Sequence, residues 1–122
     1  MARDDLAKRL STEALTGSWL SARTAIEPRL IDAMRRDGEL IGVRPPGAWE
    51  HYYPLWQFDE NWRPLPAVKR IKQEARERGL DDNRLYEVLS ARLGLGGEER
   101  LASVLRSGRV DRVLTAIRSA RP

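Results

Sequence analysis

The chain has 122 residues, of which 41% are hydrophobic and 33% are charged. This length and balance exclude a large multidomain enzyme and predict one small folded domain, or two half-size modules that share a core. The chain has no cysteine and one histidine, His51, which excludes disulfides, thiolate metal sites and histidine-rich metal sites. The composition therefore favours a binding protein over an enzyme, and we expect no cofactor and no metal.

No run of about 18 apolar residues occurs in the chain, and its first residues lack the apolar segment of a secretory signal. We therefore expect a cytoplasmic protein that does not contact a membrane.

The charge changes sign along the chain. Residues 1–62 contain eight Lys and Arg against ten Asp and Glu, a net charge of −2, whereas residues 63–122 contain fourteen against eight, a net charge of +6. This difference predicts two modules, 1–62 and 63–122, with different partners. Solvated helix faces in an arginine-rich protein would produce the same difference.

The chain opens with two predicted short helices. Residues 4–14 place leucines four apart on one side of the first helix. The second helix is expected to begin at Thr16 or Ser18, since either side chain can cap it, and to carry Trp19 and Leu20 inward.

A third helix is predicted between Pro28, which suits a first helical turn, and Gly38, which can adopt the left-handed conformation that ends a helix. Its buried side is expected to consist of Leu30, Ile31, Ala33 and Met34. Its outward side then carries Arg29, Asp32, Arg35 and Arg36.

Residues 40–44 and 50–53 resemble two short strands around Pro45-Pro46-Gly47, which predicts a small β-hairpin. Six of the eight aromatic residues lie between Trp49 and Trp62. We interpret them as a structural junction in which Trp56 and Phe58 hold the two modules together. Stacking on exposed bases is the alternative.

Apolar residues at helical spacing predict four further helices, arranged as a bundle. They are marked by Val68, Ile71 and Ala75; by Leu85, Val88, Leu89 and Leu93; by Leu101, Val104 and Leu105; and by Val110, Val113, Leu114 and Ile117. Glycines separate them at Gly79, Gly94–Gly97 and Gly108, and Asp81 or Asp82 can cap the second. The last apolar stripe is expected in the intrachain core, with a homodimer seam or a partner groove as the alternative.

The short helix near residues 16–22, the helix at residues 28–36, the glycine stop and the hairpin together have the layout of a winged helix-turn-helix. In that fold the second helix of the pair lies in the DNA major groove, and here it would be residues 28–36. The candidate DNA contacts are Arg23, Arg29, Asp32, Arg35, Arg36 and Arg44. Arginine can bind guanine in a bidentate manner or anchor a phosphate. The net negative charge of this module opposes DNA binding, so a protein-only adaptor remains the alternative.

Three segments also resemble known families. Residues 15–40, with a Leu-Thr opening and a Gly-Glu-Leu exit, resemble the short helix-turn-helix of excisionase and MerR-type regulators. Residues 53–59, which read Tyr-Pro-Leu-Trp-Gln-Phe-Asp, resemble a junction that leads, in a group of bacterial proteins, into an antitoxin-like module similar to the Xre/MbcA/ParS toxin-binding domain. Residues 93–114 extend this second resemblance.

The resemblance implies an antitoxin-type transcriptional repressor. Such a protein would bind operator DNA as a homodimer and hold a toxin inactive, often a RES-type enzyme that destroys NAD. Within this chain, one basic helix could face an acidic toxin surface or DNA phosphates, and a solvated face is the alternative. Its basic residues are Lys69, Arg70, Lys72, Arg76 and Arg78. The candidate partner-binding residues are Lys69, Arg70, Arg76, Val110, Val113, Leu114 and Ile117.

No catalytic residue is expected. The acidic pairs Asp59-Glu60 and Asp81-Asp82 could hold a cation or share a proton, but neighbouring carboxylates more often cap helices. A small hydrolase that uses Asp59 or His51 is the least favoured alternative. The expected fold class is mainly α, with a winged helix-turn-helix followed by a four-helix antitoxin-like bundle.

Overall fold

A computed structural model describes residues 3–91 and 98–122. These residues form seven α-helices and one two-stranded antiparallel sheet, so the prediction of a mainly helical chain is confirmed. The elements are α1 (Arg3–Glu13), β1 (Ala14–Thr16), α2 (Gly17–Thr24), α3 (Pro28–Arg36), β2 (Tyr52–Pro54), a 3-10 turn (Leu55–Gln57), α4 (Pro66–Glu77), α5 (Asp82–Ala91), α6 (Glu98–Ser107) and α7 (Asp111–Ser119). None of the helices described combines the length and the apolar composition that crossing a membrane requires.

Helix α1 packs against the second half of the chain. Leu10 is fully buried in the same core as the residues of α5. The Tyr86 hydroxyl donates a hydrogen bond of 2.6 Å to the Glu13 carboxylate. Burial, together with this carboxylate, raises the pKa of Tyr86 well above its ordinary value, so the hydroxyl remains a donor.

The boundaries of α2 and α3 follow the local signals in the sequence. The Thr16 hydroxyl caps α2 by accepting a hydrogen bond from the Trp19 amide at 3.3 Å. Pro28 is the first residue of α3. After α3, Gly38 has a φ of 87°, and the Glu39 amide donates to the Met34 carbonyl at 2.9 Å. This arrangement is a Schellman motif, and it confirms Gly38 as the stop signal.

Two apolar side chains predicted to be buried on these helices are exposed instead. The exposed fraction is 67% for Trp19 and 55% for Leu30. Both predictions are wrong because two short helices bury only one narrow side each, through Leu20 on α2 and Ile31 on α3. This smaller core consists of Leu20, Ile31, Leu40, Tyr53 and Phe58.

The predicted hairpin is reduced to a single bridge. The Val43 amide donates to the Tyr52 carbonyl at 2.8 Å, and the Tyr52 amide donates to the Val43 carbonyl at 2.7 Å. This pair is an isolated bridge, and no ladder extends from it. Strand β2 instead pairs with β1, in a register that places Leu15 opposite Tyr53. The prediction that residues 40–44 form a strand is therefore wrong, except for the bridge at Val43.

A buried glutamine takes the place of part of the missing ladder. The Gln57 side chain is fully buried; its Oε1 accepts from the Ile41 amide at 2.7 Å and its Nε2 donates to the Ile41 carbonyl at 2.9 Å. Nε2 also donates to the Pro54 carbonyl at 3.1 Å. One side chain thus satisfies the backbone groups that a neighbouring strand would otherwise satisfy.

Helices α4 to α7 follow the predicted apolar spacing. The Asp81 carboxylate accepts from the Arg84 amide at 2.8 Å, which confirms it as the cap of α5. Gly108 adopts a φ of 74° between α6 and α7. Leu93 and the predicted turn at Gly94–Gly97 lie outside the described residues.

The apolar stripe of the last helix lies inside the chain's own core. Val110, Val113, Leu114 and Ile117 are each at most 3% exposed. In this fold their side chains are not available to a partner, because α4 and α5 pack against α7. The larger core combines these residues with Leu10, Ile41 and Trp56 from the first 62 residues.

The aromatic junction contributes to both cores. Trp56 belongs to the larger core, whereas Phe58 belongs to the smaller core. Trp62, with a left-handed φ of 60°, packs its ring 5.7 Å from that of Phe58. Trp56 and Phe58, which are separated only by Gln57, therefore anchor this segment in two different cores. Trp49 is 99% exposed, so the prediction that the aromatic cluster serves structure is wrong for this residue.

The bonds of Gln57 generate a prediction about stability. Gln57→Leu keeps a side chain of similar size but leaves the amide and the carbonyl of Ile41 without their partner. We therefore expect the free energy of unfolding to fall by about 2 to 4 kcal/mol. Gln73→Leu, at an exposed position of α4, is the matched control and should change stability by less than about 0.5 kcal/mol. Urea unfolding followed by circular dichroism measures both variants. Equal midpoints for the two would contradict the role of Gln57.

Candidate nucleic-acid interface

One side of α3 faces solvent and carries charge. Arg29, Asp32 and Arg36, which we call the outer row, are exposed and occupy one side of the helix because they are three and four residues apart. Ile31, on the opposite side, is buried in the smaller core. The predicted outward direction of these three side chains agrees with the structure.

Arg35 does not join the outer row. Its side chain is only 16% exposed, and its Nη1 donates to the Asp32 carboxylate at 2.7 Å and to the Tyr53 hydroxyl at 2.9 Å. Burial raises the pKa of Tyr53, so its hydroxyl stays protonated beside the guanidinium. The prediction of a free, outward Arg35 is therefore wrong: this side chain joins α3 to β2.

A buried lysine holds the carboxyl end of α3. Lys72, on α4, has a side chain that is 3% exposed, and its Nζ donates to the carbonyls of Arg35 and Leu40 at 2.8 and 2.6 Å. The third acceptor is the Asp82 carboxylate at 3.0 Å. Burial lowers the pKa of Lys72, while Asp82 opposes this effect. The expectation that Lys72 belongs to a solvated or partner-facing basic side is wrong.

A second cation from α4 reaches the same helix end. The Arg76 guanidinium donates to the Arg36 carbonyl at 2.7 Å and to the Arg35 carbonyl at 3.4 Å. Positive charge is favourable at the carboxyl end of a helix, where unpaired carbonyls carry partial negative charge. Arg76, predicted to bind a partner, is exposed but uses its guanidinium within the chain, whereas Lys69 and Arg70 are exposed on α4.

The beginning of α5 holds the segment that follows α3. The Asp82 carboxylate accepts from the Gly42 amide at 2.9 Å. The Asn83 side chain accepts from the Arg44 amide and donates to the Arg44 carbonyl, both at 2.9 Å. These contacts fix the start of the 44–51 loop, and the sequence analysis missed them because Asp81, Asp82 and Asn83 resemble an ordinary helix cap.

The end of the 44–51 loop is bonded to the start of α2. The Glu50 carboxylate accepts from the amide of Ser18 at 2.9 Å and from its hydroxyl. The amide of Gly17 donates to the carbonyl of His51 at 3.1 Å. A carboxylate is favourable at the amino end of a helix for the same electrostatic reason that favours a cation at the other end.

Two open clefts adjoin α3 and share Arg35, Arg44 and His51. The first, of about 300 Å³, lies between α3, the start of α2 and the 44–51 loop. The second, of about 420 Å³, lies between the end of α3 and the start of α5. The charged residues that line the second cleft are Arg35, Arg36, Arg44, Arg76, Asp81 and Asp82.

The surroundings of His51 reflect this concentration of positive charge. Burial is the largest cause of the lowered pKa of His51, and the charges of Arg35 and Arg44 lower it further. The net charge of −2 for residues 1–62 hides this local surplus, because three arginines of that half, Arg35, Arg36 and Arg44, meet at one cleft. The second half adds Arg76 together with Asp81 and Asp82, so four arginines face two aspartates there.

Arg23, the remaining predicted DNA contact, lies at the end of α2. Its guanidinium is 5.5 Å from the centre of the Trp62 ring, within the range of a cation–π interaction. The side chain is exposed. Among the residues that the structure describes, no group of three His, Asp or Glu side chains is suited to hold a metal ion.

No protein-family model, curated protein or solved structure matches this chain. We therefore infer the function of the chain from the geometry of α3, the 44–51 loop and the two clefts.

The contacts of Lys72 generate a second stability prediction. Lys72→Met removes the ammonium that donates to three acceptors, so the Leu40 carbonyl and the Asp82 carboxylate lose this donor. We expect the free energy of unfolding to fall by about 2 to 4 kcal/mol. Lys69→Met, at an exposed position of the same helix, removes the same charge and should change stability by less than about 0.5 kcal/mol. Denaturant unfolding measures both. A Lys72→Met variant as stable as the control would show that this ammonium does not hold α3.

Proposed function

We propose that the chain is a DNA-binding transcriptional regulator of antitoxin type that places α3 in the major groove and uses the 44–51 loop as a wing. The observation that carries the proposal is the outer row. It presents Arg29, Asp32 and Arg36 to solvent from a helix whose inner side is packed and whose carboxyl end is bonded to α4. Such a helix can enter a groove without losing its own structure.

The dimensions and chemistry of α3 suit a major groove. An α-helix with its side chains is about 10 to 12 Å across. The major groove of B-form DNA is about 12 Å wide and admits one helix. Arginine donates to the two acceptors of guanine, and aspartate accepts from the amino group of cytosine, so Arg29 and Asp32 can both contact base edges.

The positive charge beside the end of α3 comes mainly from the first half of the chain. Arg36 and Arg44 line one cleft there with Arg35 and Arg76, and the four arginines outnumber the two aspartates of the same cleft, Asp81 and Asp82. A phosphate strand along that cleft would release counterions and gain affinity that does not depend on sequence. This local surplus supports DNA binding despite the net negative charge of residues 1–62.

The proposal includes a homodimer and a toxin partner. A twofold dimer would present two copies of α3 to two half-sites of an operator. The buried stripe of α7 cannot form its seam, so the seam would lie elsewhere. For a toxin, the residues we assign are Lys69 and Arg70, which are exposed on α4.

The second candidate function is a protein-only adaptor. The net charge of −2 for residues 1–62 favours it, because affinity for DNA phosphates needs positive charge. An adaptor would keep its partner when the outer row is neutralised, and it would not be retained by DNA or heparin at moderate salt.

The outer row can be tested by matched double variants. Arg29→Ala/Arg36→Ala removes two charges that we assign to DNA. We expect at least a tenfold loss of affinity for a duplex of random sequence and a salt slope reduced by about 1 to 2. Fluorescence anisotropy at several salt concentrations measures both quantities.

The matched control is Arg109→Ala/Arg112→Ala, which removes the same charge at two exposed positions, one just before α7 and one in its first turn. It should bind DNA nearly as well as the unaltered chain. Equal losses of affinity in the two double variants would show that net charge alone causes the effect. Unaltered binding by the outer-row variant would reject the assignment of the outer row to DNA. Absence of DNA binding by the unaltered chain would favour the adaptor.

A further inference from the structure

Arg35 is held between α3, β2 and α4. Its Nη1 donates to the Asp32 carboxylate at 2.7 Å and to the hydroxyl of the buried Tyr53 at 2.9 Å. Its backbone carbonyl accepts from the Lys72 ammonium at 2.8 Å. An ion pair on a helix surface seldom keeps one geometry, because both side chains remain free to rotate. Here the hydroxyl of a core residue fixes the guanidinium, so the guanidinium in turn holds Asp32.

Gly42 leaves the space that the Arg35 side chain occupies. A Cβ atom at this position would lie 2.7 Å from Cδ of Arg35 and 3.0 Å from Cε1 of Tyr53. Both distances are shorter than the separation of about 3.5 to 4.0 Å at which carbon atoms pack. The Gly42 amide donates to the Asp82 carboxylate at 2.9 Å, and the Tyr53 ring is buried, so neither neighbour can move away freely. A larger residue at position 42 would therefore displace the guanidinium of Arg35.

The contact with Arg35 sets the orientation and the charge of Asp32 within the outer row. The Oδ1 atom of Asp32 accepts from the guanidinium, while the side chain stays 52% exposed. A carboxylate has several acceptor positions, so this one can still accept from a group outside the chain. The guanidinium at 2.7 Å also compensates the negative charge, which reduces the repulsion between Asp32 and a phosphate backbone. Asp32 is thus an oriented acceptor between Arg29 and Arg36.

We propose that Arg35 is a positioning residue that holds Asp32 against the amino group of a cytosine, so that this pair determines the base at one position of the DNA site. The inference rests on the proposed DNA-binding function. In the major groove, guanine and thymine present acceptors that repel a carboxylate, whereas cytosine presents a donor. Adenine has an acceptor beside its amino group, which makes cytosine the better partner. Because Asp32 is already oriented, it loses little freedom on binding.

The base preference can be tested at Asp32, which is exposed and outside both cores. Bound duplexes selected from a random pool and sequenced should show, for the unaltered chain, one position at which cytosine is preferred about tenfold. Asp32→Asn keeps an oxygen for Arg35 and adds an amide donor. It should change the preference at that position to adenine, since asparagine pairs with the N6 and N7 atoms of adenine. The other positions of the selected site should not change.

The positioning role of Arg35 can be tested by two variants that leave Arg35 and Asp32 in the chain. Gly42→Ala displaces the guanidinium, and Tyr53→Phe keeps the buried ring but removes the hydroxyl to which Arg35 donates. Both should remove most of the cytosine preference, whereas the salt slope should stay that of the unaltered chain, because no charge is lost. A purely structural role of this contact would weaken binding to all sequences alike and leave the preference intact. Circular dichroism checks the folding of both variants, and Tyr53→Phe should fold even if Gly42→Ala does not.

The outcomes distinguish this inference from the proposed function. If the unaltered chain does not bind duplex DNA, both are rejected. If it binds and loses affinity on outer-row replacement, but Asp32→Asn selects the same sequences as the unaltered chain, only the inference is overturned. If Asp32→Asn changes the preference while folded Tyr53→Phe retains it, Asp32 contacts the base without help from Arg35, and the positioning role is rejected.

Discussion

The geometry of the proposed interface depends on one buried ammonium group. Lys72 is bonded to a carbonyl at the end of α3, to the Leu40 carbonyl beyond it and to the Asp82 carboxylate of α5. A charge in an interior is tolerated only when such acceptors replace water. The same ammonium lies at the negative end of the α3 dipole, so one interaction satisfies the helix end and fixes α3 relative to α4 and α5.

Side chains form many of the hydrogen bonds to the backbone that a longer sheet would form. Gln57, Asp82 and Asn83 bond to the backbone of residues 41, 42 and 44 in turn. As a result, the segment after α3 is held by the junction and by α5 rather than by a hairpin. This links the 44–51 loop to the second half of the chain, and the same contacts that stabilise the fold position the loop beside the outer row.

The predictability of each feature follows the range of the interaction behind it. Local signals, such as Pro28, Gly38 and the apolar spacing of α7, identify helices because their causes lie within a few residues. The partners of Arg35 and Gln57 lie 18 and 16 residues away, and no local pattern specifies them. The burial of Lys72 could have been predicted from its spacing. It follows Val68 by four residues and Ile71 by one, which places it on the buried side of α4. The basic composition of that helix concealed it.

The proposed function requires that α3 and the 44–51 loop form one rigid surface that contacts DNA. It is tested most directly by titrating isotope-labelled protein with duplex DNA and mapping backbone and indole shifts by nuclear magnetic resonance. We expect the largest shifts at Arg29, Arg36 and Arg44, with small shifts along α7. Shifts confined to α4 and α7, or none at all under conditions where the protein is folded, would contradict it.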